Sequence, residues 1–205
     1  ESAFLRKSIK MKKRNLGILI QARLGSTRLP GKILLPFDNE STILDFLLEK
    51  FHKIPSVKVI VATTDNPQDE RLEEYLLKKG EFVYRGSEED VLERFICAAE
   101  YYQIDSIIRI CSDNPFLDPK ALNDLVETAR NNPEIDYISY KVNGKPSILT
   151  HFGFWGEFVS LEALKRVREM TPDRAAHEHV TYYIYNHPEI FKCKWLPSPS
   201  YLEGR

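Results

Sequence analysis

Residues 16–36 read LGILIQARLGSTRLPGKILLP. An apolar run, LGILIQA, feeds directly into a loop carrying Arg23, Gly25, Ser26, Thr27, Arg28, Pro30, Gly31 and Lys32. A short continuous apolar run of this kind fits a strand buried on both faces of a parallel sheet. The loop supplies what a polyphosphate requires: fixed positive charge, hydroxyl donors, and glycine backbone that can approach closely. It is not a Walker A loop, because the GxxxxGK[ST] spacing is missing.

Outward from this stretch, strand and helix patterns alternate. Thr42 to Asp45 reads as a capping box that opens a helix to about Lys53. VKVIVAT at 57–63 reads as a second buried strand. Asn66-Pro67 pairs an N-cap with proline at the first helical position, for a helix to Lys79 ended by Gly80. EFVY at 81–84 is a brief strand, and Ser87 to Asp90 reads as another capping box with a helix to about Tyr102. DSIIRICS at 105–112 is the next strand, and Asp118-Pro119 caps a helix to about Arg130. This order predicts an α/β fold with a mostly parallel sheet covered by helices on both faces. After Asp136 the pattern changes: 136–142 and 152–160 read as strands around NGKPS, an antiparallel excursion. A helix follows Ser160, another runs from Thr171-Pro172 to before Pro188, and 190–196 reads as a last strand.

The 205 residues suit a single domain over 1–205, with residues 1–15 a basic, solvated N-terminal tail. With 29 basic against 30 acidic residues, no general nucleic-acid binder is expected. Cys97, Cys111 and Cys193 are widely spaced and form no CxxC, so they read as small apolar residues in a reducing compartment. No apolar run reaches the roughly 18–20 residues of a membrane span, and a cytoplasmic protein with no membrane partner is expected.

Ligands of open parallel sheets bind beyond the carboxyl ends of the strands. Besides the first loop, that rule singles out Thr64, which reads as a hydrogen-bonding group for a base or ribose. Asn66 is divided between such a role and its N-cap. Arg85 and Ser87 precede a helix start with free N–H groups. Asp90 and Arg94, four apart, read as an intrahelical ion pair. Asp113, at the tip of the 105–112 strand before Asn114-Pro115, is the candidate ligand for Mg²⁺, which takes carboxylate oxygen and shares its shell with substrate phosphates. Arg109, inside the same strand, is either paired in the core or reaching toward ligand. Glu157 faces either a sugar or solvent. His177 and His179 flank Glu178 but point apart on a helix, so they do not read as a zinc site.

The motifs IQARLGSTRLPGK, VIVATTDNPQD, VYRGSEEDVLERF, IIRICSDNPFLDP, GFWGEFVSLEAL and HEHVTYYIYNHPE together resemble the sugar cytidylyltransferases, in the branch of the spore coat polysaccharide biosynthesis protein F group, relatives of the KDO and acylneuraminate enzymes. The resemblance implies a nucleotide-diphospho-sugar transferase-like three-layer sandwich. It implies Mg²⁺-dependent joining of a nucleoside triphosphate, CTP by preference, to a sugar for surface polysaccharide or glycan synthesis, with release of pyrophosphate. By position, Arg23, Ser26 and Lys32 would hold the triphosphate, with Arg28 beside them. Arg85 and Ser87 would approach the base, and Asp113 would bind metal. Glu157 and the stretch around His179 would lie near the sugar and a homodimer surface.

Relatives of this kind continue with a strand carrying a second aspartate and a terminal helix, which this sequence does not contain. His177 and Tyr182 also stand where the pattern usually has arginine and proline. Two other readings stay open on sequence alone. One is a glycosyltransferase of similar fold using a nucleotide-sugar, against which stands the lack of a D-x-D pair at Asp113-Asn114. The other is a catalytically inactive binding or scaffold member. A last expectation concerns Ile190, Phe191, Trp195 and Leu196, whose apolar side chains would need cover from outside this sequence.

Overall fold

The computed structural model describes residues 14–25, 29–38 and 41–198. In chain order the elements are β1 (Leu16–Gln21), β2 (Pro36–Asp38), β3 (Ser41–Thr42), α1 (Ile43–His52), β4 (Lys58–Thr64), α2 (Glu70–Lys78), β5 (Phe82–Gly86), α3 (Val91–Tyr101), β6 (Ser106–Cys111), α4 (Pro119–Asn131), β7 (Tyr137–Val142), β8 (Lys145–Pro146), β9 (Glu157–Ser160), α5 (Leu161–Met170), α6 (Arg174–Glu178), α7 (Tyr182–Asn186) and β10 (Cys193–Pro197). The apolar runs around residues 18, 60 and 108 become the central strands. β1 lies between β6 and β4, parallel to both, and β5 extends the sheet beyond β4 in the same sense. On the other side β9 enters antiparallel to both β6 and β7, while β10 runs parallel to β7 at that edge. The result is the expected α/β fold, a mostly parallel sheet with an antiparallel excursion in its C-terminal half.

Alternate residues of the central strands feed two cores. Ile18, Ile20, Val61, Ile108 and Ile110 face one way, against Leu44, Leu47, Phe51, Leu72 and Leu125. Leu19, Ile60, Ala62 and Ile107 face the other, against Phe95, Ile96, Leu164, Val167 and Ile184. Helices thus cover both faces, giving three layers. Each of these Val, Leu, Ile and Phe side chains contributes about 1.5–3 kcal/mol on burial.

Local chemistry explains most element starts. Thr42 and Asp45 form the reciprocal capping box, Asp118 accepts from Lys120 N–H ahead of Pro119, and Ser160 accepts from Ala163 N–H. Several boundaries differ from expectation. Asn66 caps a 3-10 turn over Pro67–Asp69, and α2 begins only at Glu70. Ser87 accepts from Asp90 N–H, yet Asp90 is the N-cap of α3, with extended dihedrals (φ −102°, ψ 90°) and its carboxylate on Glu93 N–H. The single helix expected after Thr171 is two, α6 and α7. The chain leaves helical geometry at His179 (φ −107°, ψ 73°), and the bend lets Thr181 turn its hydroxyl inward onto Glu157. The strand expected over 152–160 begins at Glu157.

Two further expectations are revised. Phe191 is fully buried and Ile190 and Trp195 pack on the second core, while Leu196 packs beside Tyr140 and Trp155, so the chain covers the apolar side of its own last strand. Residues 1–13 of the expected basic tail lie outside the described residues. Arg14, at its end, is docked: its guanidinium donates to the carbonyls of Pro133 and Ile135 and lies 4.7 Å from the Phe158 ring centre.

Candidate active site

Because β6, β1, β4 and β5 run in the same direction, their carboxyl ends bring four loops to one edge of the sheet. The first loop leaves β1 at Ala22 and is closed by Gly31 N–H donating to the Leu24 carbonyl at 2.8 Å. Gly31 sits at φ 69°, a left-handed conformation that glycine adopts at no steric cost. The turn delivers Lys32, whose ammonium lies 3.4 Å from Asp113 Oδ2 in the loop after β6. Arg23 pairs with Glu88 at 3.7 Å, in the loop after β5. Ser26 and Arg28, expected to hold triphosphate with them, lie outside the described residues.

The same loop is tied down from below. Asp69 is fully buried, accepts from Leu24 N–H at 2.7 Å, and also accepts from the Thr64 hydroxyl. Gly25 lies against Gln68, whose amide nitrogen would sit 2.5 Å from a Cβ there. Asn66 donates to Glu88 at 2.7 Å and so holds the partner of Arg23.

Three residues expected near the base have internal bonding. The buried Thr64 hydroxyl donates to Asp69 and accepts from Asn66 N–H at 3.2 Å. Arg85 donates to the carbonyls of Thr64, Asp65 and Asn66 at 3.0, 3.1 and 3.0 Å and to Glu73 at 3.2 Å, wrapping the connection after β4. Ser87 fixes the approach to α3, and its carbonyl receives the Arg94 guanidinium. Arg94 is 2% exposed and does not pair with Asp90. Burial and the charge of Arg23 push its pKa down, while Asp69, Asp65 and Glu88 support the charged form. Asp90 instead meets His177 Nδ1 at 2.7 Å, and His177 Nε2 faces the Thr171 carbonyl at 3.0 Å.

Under Asp113 lies a buried polar cluster. Arg109 and Glu157 are directly opposed on β6 and β9, and their side chains pair at 2.7 Å with almost no exposure. Glu157 also accepts from the Tyr137 hydroxyl, and from Thr181 Oγ1 at 3.2 and 3.1 Å on its two oxygens. Arg109 donates further to Gln21 at 3.3 Å. Burial alone would lower the Arg109 pKa, but the Glu157 carboxylate paired with it outweighs burial and holds it raised. Burial, then the charge of Glu157, pushes the Tyr137 hydroxyl well up, so it is a donor. Burial likewise keeps the Cys111 thiol protonated. Arg109 is thus paired in the core. Glu157 faces this cluster and one wall of a cavity of about 240 Å³. Asp113, Asn114, Ser147, His151, Phe152 and Trp155 also line that cavity. Trp155 is 8% exposed, with no partner for its indole N–H among the described residues. His179 stands exposed in the bend between α6 and α7, apart from the cavity wall.

Asp113 keeps an open carboxylate at the end of β6. Its side chain is 54% exposed, with Lys32 as its ion-pair partner. No group of three or more His, Cys, Asp or Glu able to hold a metal occurs among the described residues. That donor set fits Mg²⁺, which takes one or two carboxylates and completes its shell with water and phosphate oxygens. The roles of Asp69, Glu88, Tyr137, Thr181 and Trp155 were not anticipated from sequence. For Asp69 the one available signal was an acid two residues after a capping Asn-Pro.

The sequence pattern described as Cytidylyltransferase matches residues 17–203. The chain is 37% identical over 187 residues to the spore coat polysaccharide biosynthesis protein SpsF of Bacillus subtilis, covering 88% of this chain and 74% of that one. It superposes on a cytidylyltransferase of Leptospira borgpetersenii at a TM-score of 0.78 with 34% identity, covering 90% of this chain and 76% of the other. It also superposes on CMP:2-keto-3-deoxy-manno-octonic acid synthetase complexed with CTP at a TM-score of 0.69 and 17% identity, covering 90% of each, a likeness of fold.

Proposed function

The chain belongs to the cytidylyltransferase family, and on that premise we propose that it transfers the cytidylyl group of CTP to a sugar hydroxyl, with Mg²⁺ and release of pyrophosphate. The observation that carries this reading is the convergence of Lys32 and Asp113, 3.4 Å apart at the carboxyl edge of β1 and β6, with Arg23 on the same loop. Lys32 and Arg23 stabilise negative charge on the β- and γ-phosphates as it develops. Asp113 would hold Mg²⁺, which when bound neutralises phosphate charge and helps align the in-line displacement. The cavity next to Asp113 is the place for the sugar, with Phe152 and Trp155 as an apolar wall. The sugar oxygen bonds to the α-phosphorus while the bond from that phosphorus to the β-bridging oxygen breaks. Pyrophosphate takes the electron pair, and the hydroxyl proton is lost to water. The chain's task is positioning and charge neutralisation.

The product suits surface polysaccharide or glycan assembly, by analogy with the named role of the Bacillus relative. We place the protein in the cytoplasm, where CTP is made; among the described residues no helix is long and apolar enough to cross a membrane. We also propose a homodimer, with the edge strand β10 and exposed Tyr182 at the interface, which light scattering at micromolar concentration tests. The decisive experiment for the reaction is a pyrophosphate-release assay with four nucleoside triphosphates against a panel of acidic and neutral sugars. Turnover with CTP and a sugar is expected. Binding without turnover across the panel would favour a scaffold, and sugar transfer from a nucleotide-sugar would favour a glycosyltransferase.

A further inference from the structure

We infer that Asp69 is a positioning residue that sets the geometry of the Arg23–Lys32 loop, and through it the affinity for the triphosphate; this rests on reading that loop as the phosphate-holding element. Asp69 has no exposed surface, so neither nucleotide nor sugar reaches it. Its two carboxylate oxygens are divided: Oδ1 accepts from Leu24 N–H at 2.7 Å, and Oδ2 accepts from the Thr64 hydroxyl.

Leu24 is the residue on which the loop closes. Its amide is held by Asp69, its carbonyl receives Gly31 N–H at 2.8 Å, and its side chain packs on the first core. Through that bond Asp69 fixes the entry of the loop after Arg23 and its exit before Lys32. Thr64 ends β4, the neighbour of β1, and its hydroxyl also receives Asn66 N–H. Two adjacent strand ends are therefore locked to one carboxylate. Gly25 close against Gln68, and Arg23 paired with Glu88, which Asn66 holds, are separate ties to the same turn. A buried carboxylate is retained at a desolvation cost, and here its partners are a backbone amide and a hydroxyl. That choice of residue is explained by what it holds in place. A cation placed for phosphate loses much of its value when displaced by about 1 Å.

Asp69→Asn keeps an acceptor for Leu24 N–H, whereas Asp69→Ala removes the acceptor of the Leu24 N–H and of the Thr64 O–H, leaving Thr64 only the bond it receives from Asn66 N–H. The test measures CTP affinity with Mg²⁺ by calorimetry, cytidine affinity by NMR titration, and hydrogen exchange of the Leu24 amide in the ligand-free protein. Asp69→Ala should weaken CTP binding by about tenfold, leave cytidine binding unchanged and accelerate Leu24 exchange, and Asp69→Asn should restore all three toward wild type. Thr64→Val, which removes the hydroxyl that orients the carboxylate, should shift CTP in the same direction by a smaller factor. This variant decides the matter if Asp69→Ala does not fold. Equal loss of CTP and cytidine binding would show a merely structural role and overturn the inference, as would folded variants that bind CTP like wild type. A wild-type protein that fails to bind CTP while Leu24 exchange still answers to Asp69 would instead overturn the nucleotide reading.

Discussion

Lys32 Nζ lies 3.4 Å from Asp113 Oδ2, so a cation and an anion of the candidate site neutralise each other across the ends of β1 and β6. Both side chains keep solvent access, at 31% and 54% exposure, and an exposed pair of this kind contributes only ~0–1 kcal/mol to stability. Under the proposed function, a triphosphate with Mg²⁺ would offer each partner a better counterion in exchange for this pair.

Lys32→Ala should therefore leave the fold and melting temperature nearly unchanged and weaken CTP. A charge-assisted contact contributes about 1.5–3 kcal/mol, or roughly 10- to 150-fold in affinity. Calorimetric titration with CTP checks this. Wild-type affinity in the variant would mean that the loop does not hold phosphate.

Asp113→Asn preserves size and removes the charge that a hard dication needs. Mg²⁺-dependent turnover should collapse, and the melting temperature should stay within a few degrees of wild type. A magnesium titration of pyrophosphate release reads the outcome. An unchanged metal requirement would reduce Asp113 to a turn residue.

Glu157 presents the opposite case, an ion pair with Arg109 that is almost fully buried. Removing one partner of such a pair typically costs about 3–5 kcal/mol, because the other charge is left stranded. Glu157→Leu should thus be strongly destabilised in urea melts. Arg109→Met together with Glu157→Leu should recover much of the loss. If the double variant were as unstable as the sum of the two single ones, the pair would not be the unit of stability described above.

What was legible in the sequence was what is local. β1, β4 and β6 announce themselves as apolar runs, and Thr42, Asp118 and Ser160 act on amides two or three residues ahead. The Arg23–Lys32 loop and Asp113 stand out in the sequence because each closely follows one of those runs. The floor beneath them does not. Glu157 draws its partners from Arg109, Tyr137 and Thr181, which are 48, 20 and 24 residues away, and the β9 register that aligns them comes from tertiary pairing. Asp69 was hidden for a related reason, since a carboxylate in a polar turn reads as exposed until the fold closes over it. Asp90 and Arg94 show the reverse error. Helical spacing permits their pairing, but His177 and Ser87 offer each of them a better-placed partner.

The His177–Asp90 contact makes stability depend on pH in a defined sense. Both imidazole nitrogens face acceptors, the Asp90 carboxylate at 2.7 Å and the Thr171 carbonyl at 3.0 Å, which calls for a proton on each. Burial works against that charge, but the bonds to Asp90 and Thr171, with the charges of Asp90 and Glu93, outweigh it and raise the pKa above the ordinary 6.5. A raised folded-state pKa means that the folded protein binds the proton more tightly than the unfolded chain. The contact therefore stabilises fully below about pH 6.5 and loses its contribution as the pH climbs through the folded-state pKa. Melting temperatures of wild type and His177→Asn, measured from pH 5 to 9, should differ most at the acid end, with wild type higher, and converge toward the alkaline end. A gap of constant size across that range would show that His177 contributes packing alone and that the clamp between α3 and α6 carries no charge.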